Sequence, residues 1–578
     1  MSEKKTVAAV RAALARGDLL SAYDQVRRRT DEHAPTLDYL EVLTLARLGD
    51  HERALRLYEA YGLGARADSD ALSLRARLLK DAGFGARGGP DKGMLREACK
   101  LYASVYVDTA DAYPAINTAT LALIVGRNEL AMRMANAAVE HASADVDGSY
   151  YTLATLAEAR LVLGDLAGAR AALEAAVAAD DADVGKRSTT VLQLQRLIDV
   201  IGPSAEADQL LALIRPPSVL TYRGHIFVGD PEVERGLAAK VRAALAAERV
   251  GFAYGSLAAG SDILIAEQLL AAGVELHVVL PVTEADFLAQ SVAPAGEGWL
   301  ERYAACRAAA ASVTFASTMS HVGGQGQFAY GSKVTMGMAR LRARHLNGDA
   351  LQLAIVEKTA AAGGSTRSDV RGWTETGGRS VVIHTEPLAR PEMPRPTMTS
   401  DVDRGAYGLM FTDFPGFARL DERVLPLFQQ EIMARAAHSL QRHAETVLHK
   451  NTWGDALYVV FADALAGAEA ALDLCDAFQH VDPRKLGLHQ GAAMRIALHF
   501  GPTYSDIDPV TERINYYGSE VARAARIEPV TPPGSVYVTE PFAAILAMEP
   551  SHGFICDYVG QVELPKGYGT FPLYRLRR

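Results

Sequence analysis

The chain has 578 residues, 49% of them hydrophobic and 22% charged, a composition that fits several globular domains and excludes a disordered chain. Its 69 acidic residues outnumber 59 basic ones for a formal charge of −10, which argues against nonspecific nucleic-acid binding, since that needs a basic face. Cys99, Cys306, Cys475 and Cys556 lie far apart, without a CxxC pair or metal-ligand spacing. No run approaches about 18 apolar residues and the first residues lack a signal-type apolar core, so the expectation is a cytoplasmic protein with reduced thiols and no membrane span.

Residues 1–212 are rich in Ala and Leu at helical spacing and predict an all-α domain. In three segments an apolar helix runs into a glycine (Gly49, Gly126, Gly164), and an alanine follows five residues later (Ala54, Ala131, Ala169). The glycine permits a tight turn between helices and the small alanine permits close packing, so each segment reads as a helical hairpin. Recurrence of such hairpins predicts a solenoid, either receiving a protein partner or capping the rest of the chain. The segments resemble tetratricopeptide repeats. AYPAINTATLAL and SYYTLATLAEARLVLGD are similar to the bacterial TRAF-binding helical repeat region.

Across residues 213–390 the runs SVLTY, ELHVVLPV, SVTFAS, LQLAIV and SVVIHT are short and β-branched, with helical stretches between them. That alternation predicts a parallel sheet covered by helices, an α/β domain. Three stretches fall at expected strand ends: Arg223-Gly224-His225; Gly255, Gly260, Ser261 and Asp262 ahead of a helix carrying Glu267; and Gly363, Gly364, Ser365 and Thr366, with Asp369 beyond. Such turns bring backbone N–H groups toward a phosphate, and ligands of open α/β sheets sit at the carboxyl ends of strands. The layout resembles the SLOG superfamily, a Rossmann-like group, which implies a small nucleotide-like ligand or, alternatively, a nucleotide hydrolase. The PGGxGT stretch of LOG-type hydrolases is absent, and GSLAAGSD does not follow GxGxxG spacing. Residues 391–403, the end of a stretch with four prolines, predict an extended linker.

From residue 404 to 578 five stretches carry the chemistry: YGLMFTDFPGF with Asp413, TWGDALYVVF with Asp455, MRIALHFGP, YYGSEVARAAR with Arg526, and VELPKG with Lys566. Asp413 and Asp455 each adjoin an apolar strand, where an unpaired carboxylate is costly, and two close carboxylates suit divalent metals. In this order the stretches resemble the signatures of class III nucleotidyl cyclases. The resemblance implies an α+β, ferredoxin-like cyclase domain that turns a nucleoside triphosphate into a 3′,5′-cyclic nucleotide and pyrophosphate. It implies two Mg²⁺ or Mn²⁺ on Asp413 and Asp455, phosphate contacts from the Phe414, Gly416 and Phe417 turn, and Arg526 and Lys566 as catalytic cations. It also implies a homodimer, with the metal acids of one copy facing the arginine and base selectors of the other.

Two departures stand out. The family's transition-state asparagine aligns with Ala522, leaving Ser519, Glu520 and Arg523 as neighbouring polar residues. The base selectors align with Asn451 and Asn515, amides that both donate and accept, which matches neither the adenine nor the guanine code and leaves pyrimidines open. Lys450 would serve adenine if the register shifted. The rival to an active cyclase is a cyclase fold kept as a nucleotide-binding scaffold.

Overall fold

The computed structural model describes residues 3–29, 34–66, 68–86, 89–144, 148–323, 325–358, 365–394, 403–478, 481–487, 492–549 and 553–578. The chain forms two compact units: residues 1–216 with 344–348, and residues 217–343 with 349–578.

The first unit is helical, from Glu3–Ala15 to Ala205–Ile214. Gly49, Gly126 and Gly164 adopt φ of 88°, 80° and 82°, left-handed values that end a helix and turn the chain into the next. Asp50 and Asp165 cap the following helices by accepting from Arg53 N and Gly168 N. Ala54, Ala131 and Ala169 are buried where the paired helices meet. The glycine-to-alanine spacing therefore marks the real hairpins. The helix Val184–Ile201 returns to the first helix, and Gly185 lies so close to it that a Cβ there would sit 2.0 Å from the Leu14 carbonyl oxygen.

The second unit holds two sheets. Strands β1 (Ser218–Arg223), β2 (Val250–Gly255), β3 (Glu275–Leu280), β4 (Ser312–Phe315), β5 (Ala350–Glu357) and β6 (Arg379–Thr385) form a parallel sheet in the order β4-β3-β2-β1-β5-β6. Five of these are the β-branched runs legible in the sequence; β2, VGFAYG, is short, glycine-flanked and without alternation, and only its pairing with β1 and β3 reveals it.

The second sheet contains β7 (Asp403–Asp413), β8 (Val447–Trp453), β9 (Ala456–Phe461), β10 (Arg495–Ile507), β11 (Ile514–Tyr517), β12 (Val536–Thr539), β13 (Ile555–Leu564) and β14 (Gly569–Arg577). Its order is β13-β14-β12-β10-β7-β9-β8, with β11 paired to β10. Between the sheets the helix Gly326–His345 meets the helix Glu540–Met548 so closely that a Cβ on Gly337 would lie 1.9 Å from the Ala544 carbonyl oxygen. Gly337→Ala should therefore destabilise the protein by about 1–3 kcal/mol, read from the denaturant midpoint. Gly236→Ala, in a helix with nothing within 4 Å of the added methyl, should stabilise it by about 0.4–1 kcal/mol as the control.

Candidate active site

β7 runs through the middle of the second sheet, pairing with β10 on one side and β9 on the other, and ends at Asp413. β8 and β9 are joined by the two-residue turn Gly454-Asp455, closed by the pair Trp453 and Ala456. Gly454 takes φ of 64°, as the first residue of such a turn requires. Because Thr412 pairs with Leu457, this tight hairpin delivers Asp455 to the end of β7. The two aspartates, 42 positions apart in sequence (455 less 413), come together.

Burial, and then the Asp413 charge, push the Asp455 carboxyl up to about 6, while Phe414 N donates to Asp455 Oδ2 at 3.2 Å. Arg495, opposite Asp413 in the β10–β7 ladder, donates to the Asp413 carboxylate and lies 2.7 Å from Glu528 Oε1. Burial pushes Glu528 up to about 7, with Asp413 and Asp455 adding to the effect and Arg495 opposing it. Glu528 is the site residue that sequence reasoning missed. It follows the helix Ser519–Ile527 with no motif of its own, and only the fold sets it beside the aspartates. Two hard-oxygen ligands whose negative charges crowd each other form a donor set that a divalent cation would satisfy. No cluster of three or more Asp, Glu, His or Cys suited to a metal occurs among the described residues.

The turn after β7 bends at Gly416, with φ of 100°. Its N–H groups are partly used within the chain: Phe414 N by Asp455, and Phe417 N by the Phe414 carbonyl at 3.2 Å. Asn451 is exposed on β8, its Oδ1 accepting from Thr452 N. Asn515 lies on β11, donating from Nδ2 to Asp508 Oδ2 at 3.2 Å. Lys566 is exposed at the β13–β14 turn with φ of 64°, uncommon for a residue with a side chain.

The helix Ser519–Ile527 has two distinct faces. Ala522 and Arg526, one turn apart, lie on its accessible side, and Arg526 makes no hydrogen bond or ion pair among the described residues. Glu520 and Arg523 point inward and are almost wholly buried. Glu520 Oε2 lies 2.9 Å from both His499 Nε2 and Arg523 Nη1, while Ser317 Oγ donates to Glu520 Oε1 at 2.6 Å. Arg523 also donates to Thr318 Oγ1, and Tyr330 Oη to the Phe500 carbonyl, both at 2.8 Å. Arg523 thus faces away from Ala522 and does not fill the place of the missing asparagine.

These contacts arise in the segment after β4 and in the helix Gly326–His345, which also border a cavity of about 550 Å³ beside the carboxyl ends of β1 and β5. Gly224, Asp262, Ser365 and Thr366 line it, with Arg223 ion-paired to Asp369 at 2.8 Å. Burial pushes Asp262 up to about 6; it accepts from Gly224 N and Ser256 Oγ. Ser261, fully buried, braces the loop after β1, accepting from His225 N and donating its own N–H to the His225 carbonyl. Gly260 and Gly255 are packing glycines, tight against Phe227 and the Tyr222 ring. Gly363 and Gly364 lie outside the described residues.

The comparisons with known proteins agree with this layout. Residues 403–578 match the model of the adenylate and guanylate cyclase catalytic domain. This region is a class III cyclase catalytic domain. Residues 17–122 match a second family, Tetratricopeptide Repeats-Sensor. The cyclase domain is 29% identical over 175 residues to an adenylate cyclase of Podospora anserina, covering 26% of this chain and 8% of that protein. An adenylate cyclase of Schizosaccharomyces pombe is 36% identical over 59 residues, 10% of this chain and 4% of its own length. This chain therefore spans less than a tenth of those relatives. Among solved structures, the adenylyl cyclase CyaB from P. aeruginosa is 16% identical over 31% of this chain and 97% of its own, with a TM-score of 0.28. The guanylate cyclase domain of RhGC from Catenaria anguillulae, solved with GTP, is 18% identical over 30% and 96%, with a TM-score of 0.26. No helix among the described residues is long and apolar enough to cross a membrane.

Proposed function

We propose that this protein is a homodimeric nucleotidyl cyclase, converting a nucleoside triphosphate into a 3′,5′-cyclic nucleotide and pyrophosphate. The observation that carries the reading is the Asp413 and Asp455 pair, whose crowded charges lie at adjoining strand ends beside the Gly416 turn. Two divalent cations held there, Mg²⁺ or Mn²⁺, would acidify the ribose 3′-hydroxyl and neutralise the triphosphate. The chain's own residues do the rest. Asp413 and Asp455 would hold the cations in place, the Gly416 turn cradles the phosphates, and Arg526 and Lys566 offset charge that develops on them. Asn451 and Asn515 read the base. The spatial order β10-β7-β9-β8 supports a ferredoxin-like core.

Dimerisation is supported by the apolar residues left open on the β8–β9 and β10–β11 hairpins: Trp453 is 64% exposed and Val510 89%, with Ile507 and Ile514 beside them. A second copy covering them would bring Arg526 of one chain toward the aspartates of the other. Complementation tests this. Asp455→Ala and Arg526→Ala should each be inactive, while an equal mixture, refolded together, should regain about a quarter of wild-type turnover, because half the dimers carry one intact site. A mixture as dead as its components would overturn the shared site. Assay with each of the four nucleoside triphosphates and Mn²⁺ names the substrate.

A second reading, a nucleotide-binding scaffold, is favoured by Ala522 and by the inward turn of Arg523, which leave nothing on that helix in the asparagine's place. Absence of product from all four nucleotides would select it. For the central domain we propose a SLOG-like, Rossmann-type sensor of a small nucleotide-like ligand in the cavity beside β1 and β5. The chain departs from β1 to one side and returns to β5 on the other, the kind of position where open α/β sheets bind ligands. The helical repeats would receive a protein partner, and four free cysteines fit a cytoplasmic setting.

A further inference from the structure

The strand β11 carries Asn515 and, among the described residues, pairs with β10 alone. In an antiparallel ladder the backbone groups of alternate residues face the partner strand. The Arg513 carbonyl accepts from Asp508 N within the β10–β11 hairpin, so the carbonyls of Ile514 and Tyr516 point away from β10. Two side chains of the β8–β9 hairpin meet them. His449 Nδ1 lies 3.0 Å from the Ile514 carbonyl, and Tyr458 Oη donates to the Tyr516 carbonyl at 3.1 Å. A carbonyl oxygen only accepts, so His449 carries its hydrogen on Nδ1 and is the donor.

These two bonds fall on either side of Asn515, and the hairpin that makes them carries Asn451. His449 precedes Asn451 by two residues on β8, and Tyr458 stands opposite Asn451 in the β8–β9 ladder. Alternation along a strand and pairing across a ladder set all three on one face of the hairpin. Ring contacts reinforce the junction. The His449 ring centroid lies 5.5 Å from that of Tyr458 and 6.0 Å from that of Tyr516, and Tyr407 meets Tyr516 edge-on at 5.0 Å. Asn515 is itself held within the chain, its Nδ2 donating to Asp508 Oδ2 and its Oδ1 accepting from Tyr516 N. One amide hydrogen and one lone pair remain for a ligand.

We propose that His449 and Tyr458 are positioning residues for substrate selection: their bonds to the carbonyls flanking Asn515 fix the spacing between Asn515 and Asn451. This rests on the reading of those two asparagines as the groups that meet the base. A neutral amide both donates and accepts, so a pair of them separates one base from another by placement and not by charge. Placement of that kind needs a rigid support behind the contacting groups, which the two bonds supply.

His449→Phe and Tyr458→Phe each keep a ring and delete one donor, while His449→Asn restores a donor at the place of Nδ1. The full chain is titrated in Mn²⁺ with the α,β-methylene analogues of ATP, GTP, CTP and UTP, whose bridging carbon blocks loss of pyrophosphate. Turnover of the four nucleotides is measured alongside. Wild type should prefer one analogue, and each phenylalanine variant should narrow that preference about 3- to 10-fold, the worth of one hydrogen bond. In turnover KM should rise by more than kcat falls, and His449→Asn should recover much of the preference. A merely structural bond would lower the melting temperature and leave the preference as it was. That result in one variant removes its residue from the proposal, and in both overturns it. Equal binding of all four analogues by wild type overturns it too, since there would be no selection to position. Binding without turnover sinks the cyclase reading alone, and the preference still decides the positioning; no binding at all sinks both.

Discussion

Asp455→Ala should lower product formation from any nucleotide by about 1,000-fold or more while leaving the fold intact. The magnitude follows from the proposed role: losing a group that organises transition-state charge costs about 100- to 1,000-fold, and the same carboxylate would also hold the cations. The fold survives because Asp455 sits in a surface turn and its carboxylate opposes that of Asp413. The sign of the pH dependence follows from the same crowding. In the folded protein the Asp455 carboxyl is raised from 3.8 to about 6, so its proton favours the native state. That contribution is complete below pH about 4 and is lost as the pH rises through about 6. On the proposed reading a cation would replace the proton above that range. Mn²⁺ should therefore raise the melting temperature clearly at pH 7.5 and little at pH 5, EDTA should reverse the gain, and Asp455→Ala should show neither effect. Equal Mn²⁺ stabilisation of wild type and Asp455→Ala at pH 7.5 would place the cations elsewhere.

Glu520→Ala should destabilise the protein by about 3–5 kcal/mol, the largest loss expected from a single side chain in the cyclase domain. Glu520 and His499 are fully buried and Arg523 nearly so, and among the described residues this carboxylate is the one acid that the imidazole and the guanidinium share. Deleting it strands a guanidinium in the interior without its ion-pair partner. Glu520→Gln keeps the shape and the acceptor for Ser317 Oγ, so it should cost less. The double variant Glu520→Leu with Arg523→Met should recover much of the loss, because replacing a buried pair by apolar groups of similar volume is close to neutral. Denaturant midpoints rank the three variants. A loss below about 1 kcal/mol in Glu520→Ala would mean that water reaches the network.

The same variants bear on control of the reaction. Ser317 and Thr318 follow β4 of the parallel sheet, and their partners Glu520 and Arg523 share a helix with Arg526. Turnover of Glu520→Gln, measured far below its melting temperature, should fall by more than its stability loss explains, through displacement of Arg526. Unchanged turnover would show that the junction is structural only.

How much of this was legible beforehand depended on the range of the interaction. The helical hairpins were read from glycine and alanine spacing because a left-handed helix end and a close helix crossing are local demands. Asp413 and Asp455 stood out because each lies against an apolar strand within a stretch that resembles a cyclase signature. Strand β2 escaped because its only signature is its pairing. Glu528 and the inward turn of Arg523 escaped for a related reason: periodicity says that a helix has a buried face, and the neighbouring domain decides which polar groups that face can satisfy. Ser317 and Glu520 are 203 positions apart. By itself the sequence determined the helical hairpins and most of the strands, since these follow from steric preference and burial within a few residues, and its signature stretches marked the two aspartates beside them. Only the tertiary structure decided which charges share a carboxylate and which are left without one, because a buried ion's free energy depends on partners that packing alone brings within reach.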